Sequence, residues 1–311
     1  MTITIKSTEI KQYNSNISGL LDRFIQYVDV SQVTTRSYIS GIRAFLNYLS
    51  DNSINTPTRD NVIEYKKYLS KNKNTGTIAT YLSALRRFFA WTEAEGLFPN
   101  ITSGIKSPRV DLGHKKDAFS AQQLKTIISG INRDNLKGAR DYAIFCLISA
   151  TGLRTVEVMR ADIGDIRNIS GKDCLFVMGK GRSSKSEFVQ LSGHVMKAIQ
   201  AYLNMRGEVS QEAPLFASVS HRNTGGRLTT RSISGICKSA MKAAGFNSHR
   251  LTAHSLRHTA ITLALIAGIS IQEVSQFARH SNISVTMIYS HDVERLKSKC
   301  ENTISNMIFG D

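Results

Sequence analysis

The sequence has few cysteines and no long apolar run. Only four of its 311 residues are cysteines, and none forms a CxxC pair, which argues against both a disulfide framework and a zinc knuckle. No stretch is apolar for long enough to span a membrane,, and the N-terminal segment MTITIKSTEIKQYNSN lacks the apolar core of a signal peptide,. These absences predict a cytoplasmic protein with reduced thiols and no membrane association.

Acidic residues are also scarce relative to basic ones. The chain has 24 Asp and Glu against 40 Lys and Arg, a formal net charge of +16. Both the first 108 residues and the remainder are net basic, so the charge is not a single disordered tail. The excess favours a polyanionic partner, with nucleic acid ahead of an anionic membrane surface; a basic protein without such a partner is the alternative.

Helical periodicity dominates the first third of the chain. Four segments carry apolar residues at helical spacing: ISGLLDRFIQYV, TTRSYISGIRAFLNYLS, TRDNVIEYKKYLSKN and NTGTIATYLSALRRFFAW. Thr34 or Thr35 is the expected N-cap of the second helix and Thr58 that of the third. We therefore predict an all-α domain over residues 1–106.

A break in periodicity separates this domain from the rest. The segment PNITSGIKSPRVDLGHKKDAFS holds two of the four prolines and predicts an interdomain linker at residues 107–118, with an ordinary surface loop as the alternative. Residues 119–311 form the second domain, in which TVEVMRADIGDI is expected to be a helix and DCLFVMGKGRSSKSEFVQL two strands around a turn. The predicted fold is mainly α with a small antiparallel β-sheet, in two lobes that close around a cylinder.

Two histidines four residues apart raise the question of a metal site. His254 and His258 would share one face of a helix, but Arg257 lies between them and Ser255 stands where a metalloprotease helix needs glutamate,. No carboxylate lies at ligand spacing from the other histidines. We therefore predict no metal and no cofactor, and a structural role for His258, which apolar residues follow on the same face.

The same stretch fits an anion site better. His254 and Arg257 are one helical turn apart, Arg154 follows a glycine at the end of an apolar helix, and His280 lies further along. Cations that converge repel one another unless an anion lies between them, and a phosphodiester matches the geometry of arginine. Arg154 could instead be paired with Glu157 or Asp162 alone.

A phosphate held in this way needs a reacting partner. Tyr289 lies nine residues after His280 and could be a covalent nucleophile if a base accepts its proton. Lys180, in the turn MGKGRSSK, could reach the site as a proton donor. Each residue alone has an ordinary structural explanation, so the prediction rests on the ordered set.

That ordered set resembles the tyrosine recombinase (phage integrase) family. The family's pattern is an arginine in ATGLR, a hairpin lysine, HxLRH, a later histidine and a tyrosine. The positions that match are Arg154, Lys180, His254, Arg257, His280 and Tyr289. TRSYISGIRAFLNYL and TIATYLSALRRFFAW are similar to the family's SAM-like helical core-binding domain, and the chain length is similar to that of simple two-domain Xer-type enzymes.

The resemblance implies a mechanism. Tyr289 would form a 3′-phosphotyrosyl bond while Arg154 and Arg257 clamp the phosphate, His254 acts as general acid and base, and His280 hydrogen-bonds the phosphate. A homotetramer on two DNA sites, each a specific core site in double-stranded DNA, would pass through a Holliday junction. The roles implied are integration and excision, or resolution of dimers and cointegrates.

Further positions follow from the same comparison. Lys180 would protonate the leaving oxygen, with Lys185 as the fallback because the hairpin is longer than usual, and Glu157 matches a supporting acidic position. Arg279 stands where the family usually has glycine, and it would contact DNA or be solvated. The remaining tail resembles a helix that packs on a neighbouring protomer or on its own domain, and its candidate apolar positions are Val293, Leu296 and Ile304.

Two other functions fit parts of this pattern. A type IB topoisomerase-like enzyme uses similar chemistry but relaxes supercoils without a partner site. A catalytically silent DNA-binding accessory protein would keep the basic surface and lose the reacting residues. The intact set of six residues argues against the second alternative.

Overall fold

The chain folds into two mainly helical units in a computed structural model that describes residues 19–109, 117–179, 182–297 and 299–310. One unit comprises Met1–Leu112 and the other Gly113–Asp311. Most of the predicted linker lies at residues 110–116, outside the described residues, so its bounds stay a prediction. Within the described ranges, no helix is both long and apolar enough to cross a membrane.

Four helices build the first unit: α1 (19–27), α2 (Gln32–Asp51), α3 (Arg59–Asn72) and α4 (Thr75–Ala94). Thr58 is the N-cap of α3, as predicted. The prediction for α2 was wrong, because Ser31 is the N-cap and its hydroxyl accepts a hydrogen bond from the Thr34 amide. The helix therefore starts before the threonines, and Thr34 and Thr35 lie in its first turn.

Aromatic side chains fill the core of this unit. Phe24, Phe45 and Trp91 are almost fully buried, and Phe24 lies edge-on to Phe88, with 5.4 Å between the ring centroids. Helices α2 and α4 pack closely because Gly41 has no side chain; a Cβ there would lie 3.2 Å from atoms of α4.

The second unit is helical around one small sheet. Its helices before the sheet are α5 (Ala121–Ser129), α6 (Leu136–Thr151) and α7 (Thr155–Arg160), and the strands are β1 (Ile166–Ile169), β2 (Lys172–Val177) and β3 (Glu187–Gln190). The helices after it are α8 (Gly193–Arg206), α9 (Thr230–Ala243), α10 (Ala253–Ile266), α11 (Ile271–Ala278), α12 (Ser284–Lys297) and α13 (Cys300–Phe309).

The sheet is antiparallel with the order β1-β2-β3, and Leu175 of β2 pairs with Ile166 on one side and Val189 on the other. This confirms the predicted small sheet and adds β1 to it. The prediction of a helix over TVEVMRADIGDI was wrong for the second half of that segment. The helix ends at Arg160 because the Ala161 carbonyl accepts from the Leu215 amide, a partner far along the chain.

Two clusters of apolar side chains position the site. The apolar helix α6 runs through the larger one and ends at Gly152, whose φ of 61° is the left-handed conformation that favours glycine,. The smaller cluster joins α10, α11 and α12 and includes Ile261, Val274 and Tyr289. The turn after Gly152 carries Arg154, and the helices of the smaller cluster carry His254, Arg257 and Tyr289.

Candidate active site

Arg154 lies where α7 begins and is bound to Glu157. One guanidinium nitrogen of Arg154 donates to Glu157 Oε1 at 2.9 Å, and the Arg154 amide donates to Oε2 at 2.7 Å. The Glu157 side chain is fully buried. Burial alone would raise the pKa of Glu157, but the charge of Arg279 and the charge and hydrogen bonds of Arg154 outweigh it and lower the pKa. Arg154 is therefore held by a carboxylate while it still borders the cavity described below.

Arg257 is a buried cross-link between two helix ends. Its side chain on α10 donates to the carbonyl of Gly152 at 2.6 Å and to that of Ala278 at 2.5 Å. Burial lowers the pKa of Arg257 to about 10, and repulsion from Arg154 and Arg279 adds to the effect. The guanidinium stays charged at neutral pH, and its position is fixed by α6 and α11 together.

Tyr289 lies on α12 and packs against two histidine rings. The His280 ring is nearly parallel to it, with 6.2 Å between the centroids, and the His258 ring meets it edge-on at 4.9 Å. Tyr289 is only 5% exposed. Burial raises the pKa of its phenol, and Arg257 and Arg154 offset only part of that rise. The phenol is therefore protonated at neutral pH and needs a base before it can attack.

His280 is held as a neutral imidazole. Its Nδ1 lies 2.8 Å from the Thr286 hydroxyl. Burial, followed by the charges of Arg257 and Arg154, lowers its pKa to about 4. A neutral His280 can take part in hydrogen bonds without adding another positive charge to the cluster.

These side chains border one cavity of about 930 Å³. Five of the six predicted catalytic positions line it: Arg154, His254, Arg257, His280 and Tyr289. The cavity also borders the hairpin through Gly179, Arg182 and Phe188. Within the described ranges, no cluster of three or more His, Cys, Asp or Glu side chains could hold a metal ion. The dominant chemistry of the lining is that of an anion site with an aromatic hydroxyl beside it.

The two candidate lysines differ in what the structure reports. Lys180 lies outside the described residues, so its role stays a prediction. Lys185 donates to Asp162 at 2.6 Å and to Asp165 at 2.5 Å. Burial opposes the charge of Lys185, but these two hydrogen bonds outweigh burial and raise its pKa. Arg227 completes this network through Asp162.

Two residues that the sequence analysis placed outside the catalytic set also touch the site. Arg279 borders the cavity, its side chain is 6% exposed, and it donates to Glu157 at 3.1 Å. It is therefore not a solvated side chain, and the glycine usual at this position was the only sequence signal. His258 is buried as a structural histidine would be, yet the ring that it packs against is that of Tyr289.

Comparison with known proteins supports the same interpretation. The sequence matches the phage integrase family over residues 118–295 and the N-terminal SAM-like domain of phage integrases over residues 21–96. It is 29% identical over 285 residues to tyrosine recombinase XerC of Herpetosiphon aurantiacus, covering 87% of this chain and 90% of that protein. It is also 29% identical over 307 residues to the TnP I resolvase of Bacillus thuringiensis, covering 92% and 99%.

A solved structure shares the fold. The XerH site-specific recombinase, in a post-cleavage complex with its palindromic difH substrate, matches with a TM-score of 0.72 at 19% identity, over 93% of this chain and 84% of that one. The family match alone covers more than half of the sequence. The chain therefore belongs to the phage integrase family of tyrosine recombinases, enzymes that cleave and rejoin DNA.

Proposed function

We propose that this chain is a site-specific recombinase in which Tyr289 attacks a scissile phosphate within a specific core site of double-stranded DNA. A bond forms between the phenol oxygen and phosphorus while the bond from phosphorus to the 5′-oxygen breaks. The phosphate stays on the 3′-oxygen and now joins that end of the strand to the tyrosine. One observation carries the proposal: a buried tyrosine borders the same cavity as four arginines and two histidines. That cavity fits a phosphodiester, because guanidinium groups match phosphate oxygens.

Proton transfer follows from the state of each group. Tyr289 is protonated at rest, so His254, which borders the same cavity, accepts its proton during attack and returns it during rejoining. Arg154 and Arg257 stabilise the charge that develops on the non-bridging oxygens. His280 hydrogen-bonds a phosphate oxygen as the imidazole held by Thr286.

The leaving 5′-oxygen needs a proton from another group. We assign this role to Lys180, because Lys185 is bound by two carboxylates and its raised pKa makes it a poorer acid,. Lys185 instead ties the start of β3 to the turn before β1. This tie fixes one end of the segment that carries Lys180.

The first unit offers a surface for the same DNA. A groove of about 510 Å³ runs along α2, where Arg36, Arg43 and Asn47 line it beside the apolar Ile39 and the Tyr81 ring of α4. Arginine and amide side chains at a helix surface suit phosphate and base-edge contacts. With both parts of the chain net basic, we assign this groove to the core site as well.

Rejoining to a second DNA completes the reaction. The phosphotyrosyl bond keeps the energy of the broken phosphodiester, so a 5′-hydroxyl of a partner strand can displace Tyr289 without ATP. Four copies of the chain on two core sites exchange strands through a Holliday junction. This reaction serves integration and excision, or resolution of dimers and cointegrates.

A nicked suicide substrate that carries the core site tests the chemistry. Its short 5′ fragment diffuses away after cleavage and traps the covalent adduct. We expect wild-type protein to form the adduct in the presence of EDTA and Tyr289→Phe to form none, because only the phenol oxygen is removed. His221→Asn, an exposed position outside the cavity lining, is the matched control. An adduct with Tyr289→Phe, or a reaction that stops in EDTA, would overturn the proposal.

A further inference from the structure

Arg279 occupies a position that is unfavourable for an arginine. Its backbone has a φ of 53° at the end of α11, a left-handed conformation that glycine adopts more readily,. Its side chain is 94% buried, because only 6% is exposed. The Nε group has no hydrogen-bond partner among the described residues. A glycine here would avoid the backbone strain, the burial of a charge and the unpaired donor.

The contacts of Arg279 lead to the phosphate clamp. One terminal nitrogen donates to the Phe277 carbonyl at 2.9 Å, which fixes the guanidinium on the end of α11. The other donates to Glu157 Oε2 at 3.1 Å. Glu157 Oε1 accepts from Arg154. One buried carboxylate therefore joins two guanidiniums that come from distant parts of the chain.

This bridge limits where Arg154 can lie. Without Arg279, Oε2 would keep only the hydrogen bond from the Arg154 amide. Among the described residues the carboxylate would then be bound by Arg154 alone, and it could shift together with the Arg154 side chain. With Arg279, its two oxygens are held from two sides, and α7 is connected to the end of α11 next to His280. The orientation of Arg154 and the position of His280 are thereby coupled.

We infer that Arg279 is a positioning residue for DNA cleavage, acting through Glu157 on Arg154. The inference rests on the proposed function, since it concerns the rate at which Tyr289 attacks phosphate. This role explains why a strained and buried arginine stands where the family usually has glycine. The additional ion pair from Arg279 holds Glu157 from a second side, and Glu157 in turn holds Arg154.

Replacement by glycine tests the role with little damage to the fold. Arg279→Gly removes the guanidinium and suits the backbone conformation, so we expect a Tm close to that of wild type. Ser170→Gly is the matched control, because Ser170 also has a positive φ, of 50°, and lies in the exposed turn between β1 and β2. This control variant shows what glycine does at a position of positive φ when no charge is removed from the site.

The measurement is the single-turnover rate of adduct formation on the suicide substrate at saturating DNA, with DNA affinity measured in parallel. We expect Arg279→Gly to be slower by up to about a hundredfold, the cost that a misplacement of about 1 Å can have, with an unchanged dissociation constant for DNA. Arg279→Lys, which can still reach the carboxylate, should recover part of the rate. Ser170→Gly should cleave at the wild-type rate.

A double-mutant cycle separates this role from direct contact with DNA. If Arg279 acts through Glu157, the variant with both Arg279→Gly and Glu157→Gln is no slower than Glu157→Gln alone. Rate losses that multiply, a wild-type rate in Arg279→Gly, or a loss of affinity alone would each overturn the inference. Failure of the proposed function is a different result, in which the wild-type protein itself forms no adduct and both proposals fall.

Discussion

His280 shows how the surroundings of a candidate catalytic residue can make stability depend on pH. Its imidazole is half-buried beside three arginines, and its pKa is about 4 in the folded chain against 6.5 for an unperturbed histidine. The folded state therefore binds fewer protons than the unfolded state between these values. Stability from this residue is present above pH 6.5 and is lost as the pH falls toward 4.

We accordingly expect His280→Asn to be less sensitive to acid than wild type. The amide can keep the hydrogen bond to Thr286 but does not bind a proton. The unfolding free energy of each protein is measured in urea at pH 7.5 and at pH 5. Between these pH values, the unfolding free energy of wild type should fall more than that of His280→Asn. His221→Asn, at an exposed position, is the control; equal behaviour of the two variants would contradict the assignment.

Two residues mark the limits of sequence reasoning at this scale. Tyr289 was predicted because a family pattern fixes its order after His280, and order along a chain is visible in a sequence. The role of Arg279 was not visible, because its partner Glu157 lies 122 positions away. An ion pair across that separation depends on how α7 and α11 pack, which no local pattern contains.

Among the elements, the hairpin and the turn before it share the charged network of Lys185. The network joins Asp162 and Asp165, before β1, to the segment that leads into β3. Elements predicted from local periodicity, such as α4, α6 and α10, have the expected positions because their apolar faces are continuous. The end of α7 and the strand β1 were missed because contacts with Leu215 and with β2 define them.

The two lysines of the hairpin can be distinguished by the leaving group. A DNA with sulfur in place of the bridging 5′-oxygen releases a thiolate, which needs no general acid. We expect Lys180→Ala to cleave ordinary DNA at least about a hundredfold more slowly, the usual contribution of general acid catalysis, and to cleave the sulfur substrate at the wild-type rate.

Lys185→Met provides the comparison. It removes the charge from the network but retains an extended side chain, so we expect a similar loss of rate on both substrates. Rescue by sulfur in Lys185→Met instead of Lys180→Ala would assign the general acid to Lys185.

At the scale of the whole molecule, the C-terminal helix α13 contributes no buried side chain to the fold of the single chain. Helix α13 buries none of its residues, and Ile304, Met307, Ile308 and Phe309 are all more than half exposed. An apolar face of this kind marks a surface for another protein. We propose that it packs on a neighbouring protomer, although Val293, also predicted for that role, is buried in the chain's own smaller cluster.

Removal of the residues after Lys299 tests assembly without disturbing the site. We expect the Tm and the binding of one DNA site to match wild type, because α13 contributes no buried side chain. Recombination between two sites and the yield of the complex with two DNA duplexes should fall. Asn302→Ser with Asn306→Ser, on exposed positions of α13, is the control; unchanged recombination by the truncated chain would refute trans packing.

The structural role of Arg257 has a consequence for the evolution of such chains. Because Arg257 supplies donors to the carbonyls at the ends of both α6 and α11, a descendant that no longer cleaved DNA would still need it in order to fold. Tyr289 could change to phenylalanine in that descendant with its ring packing retained. A silent relative would therefore be recognised by loss of the hydroxyl at position 289, while persistence of the clamp arginine would say little about activity.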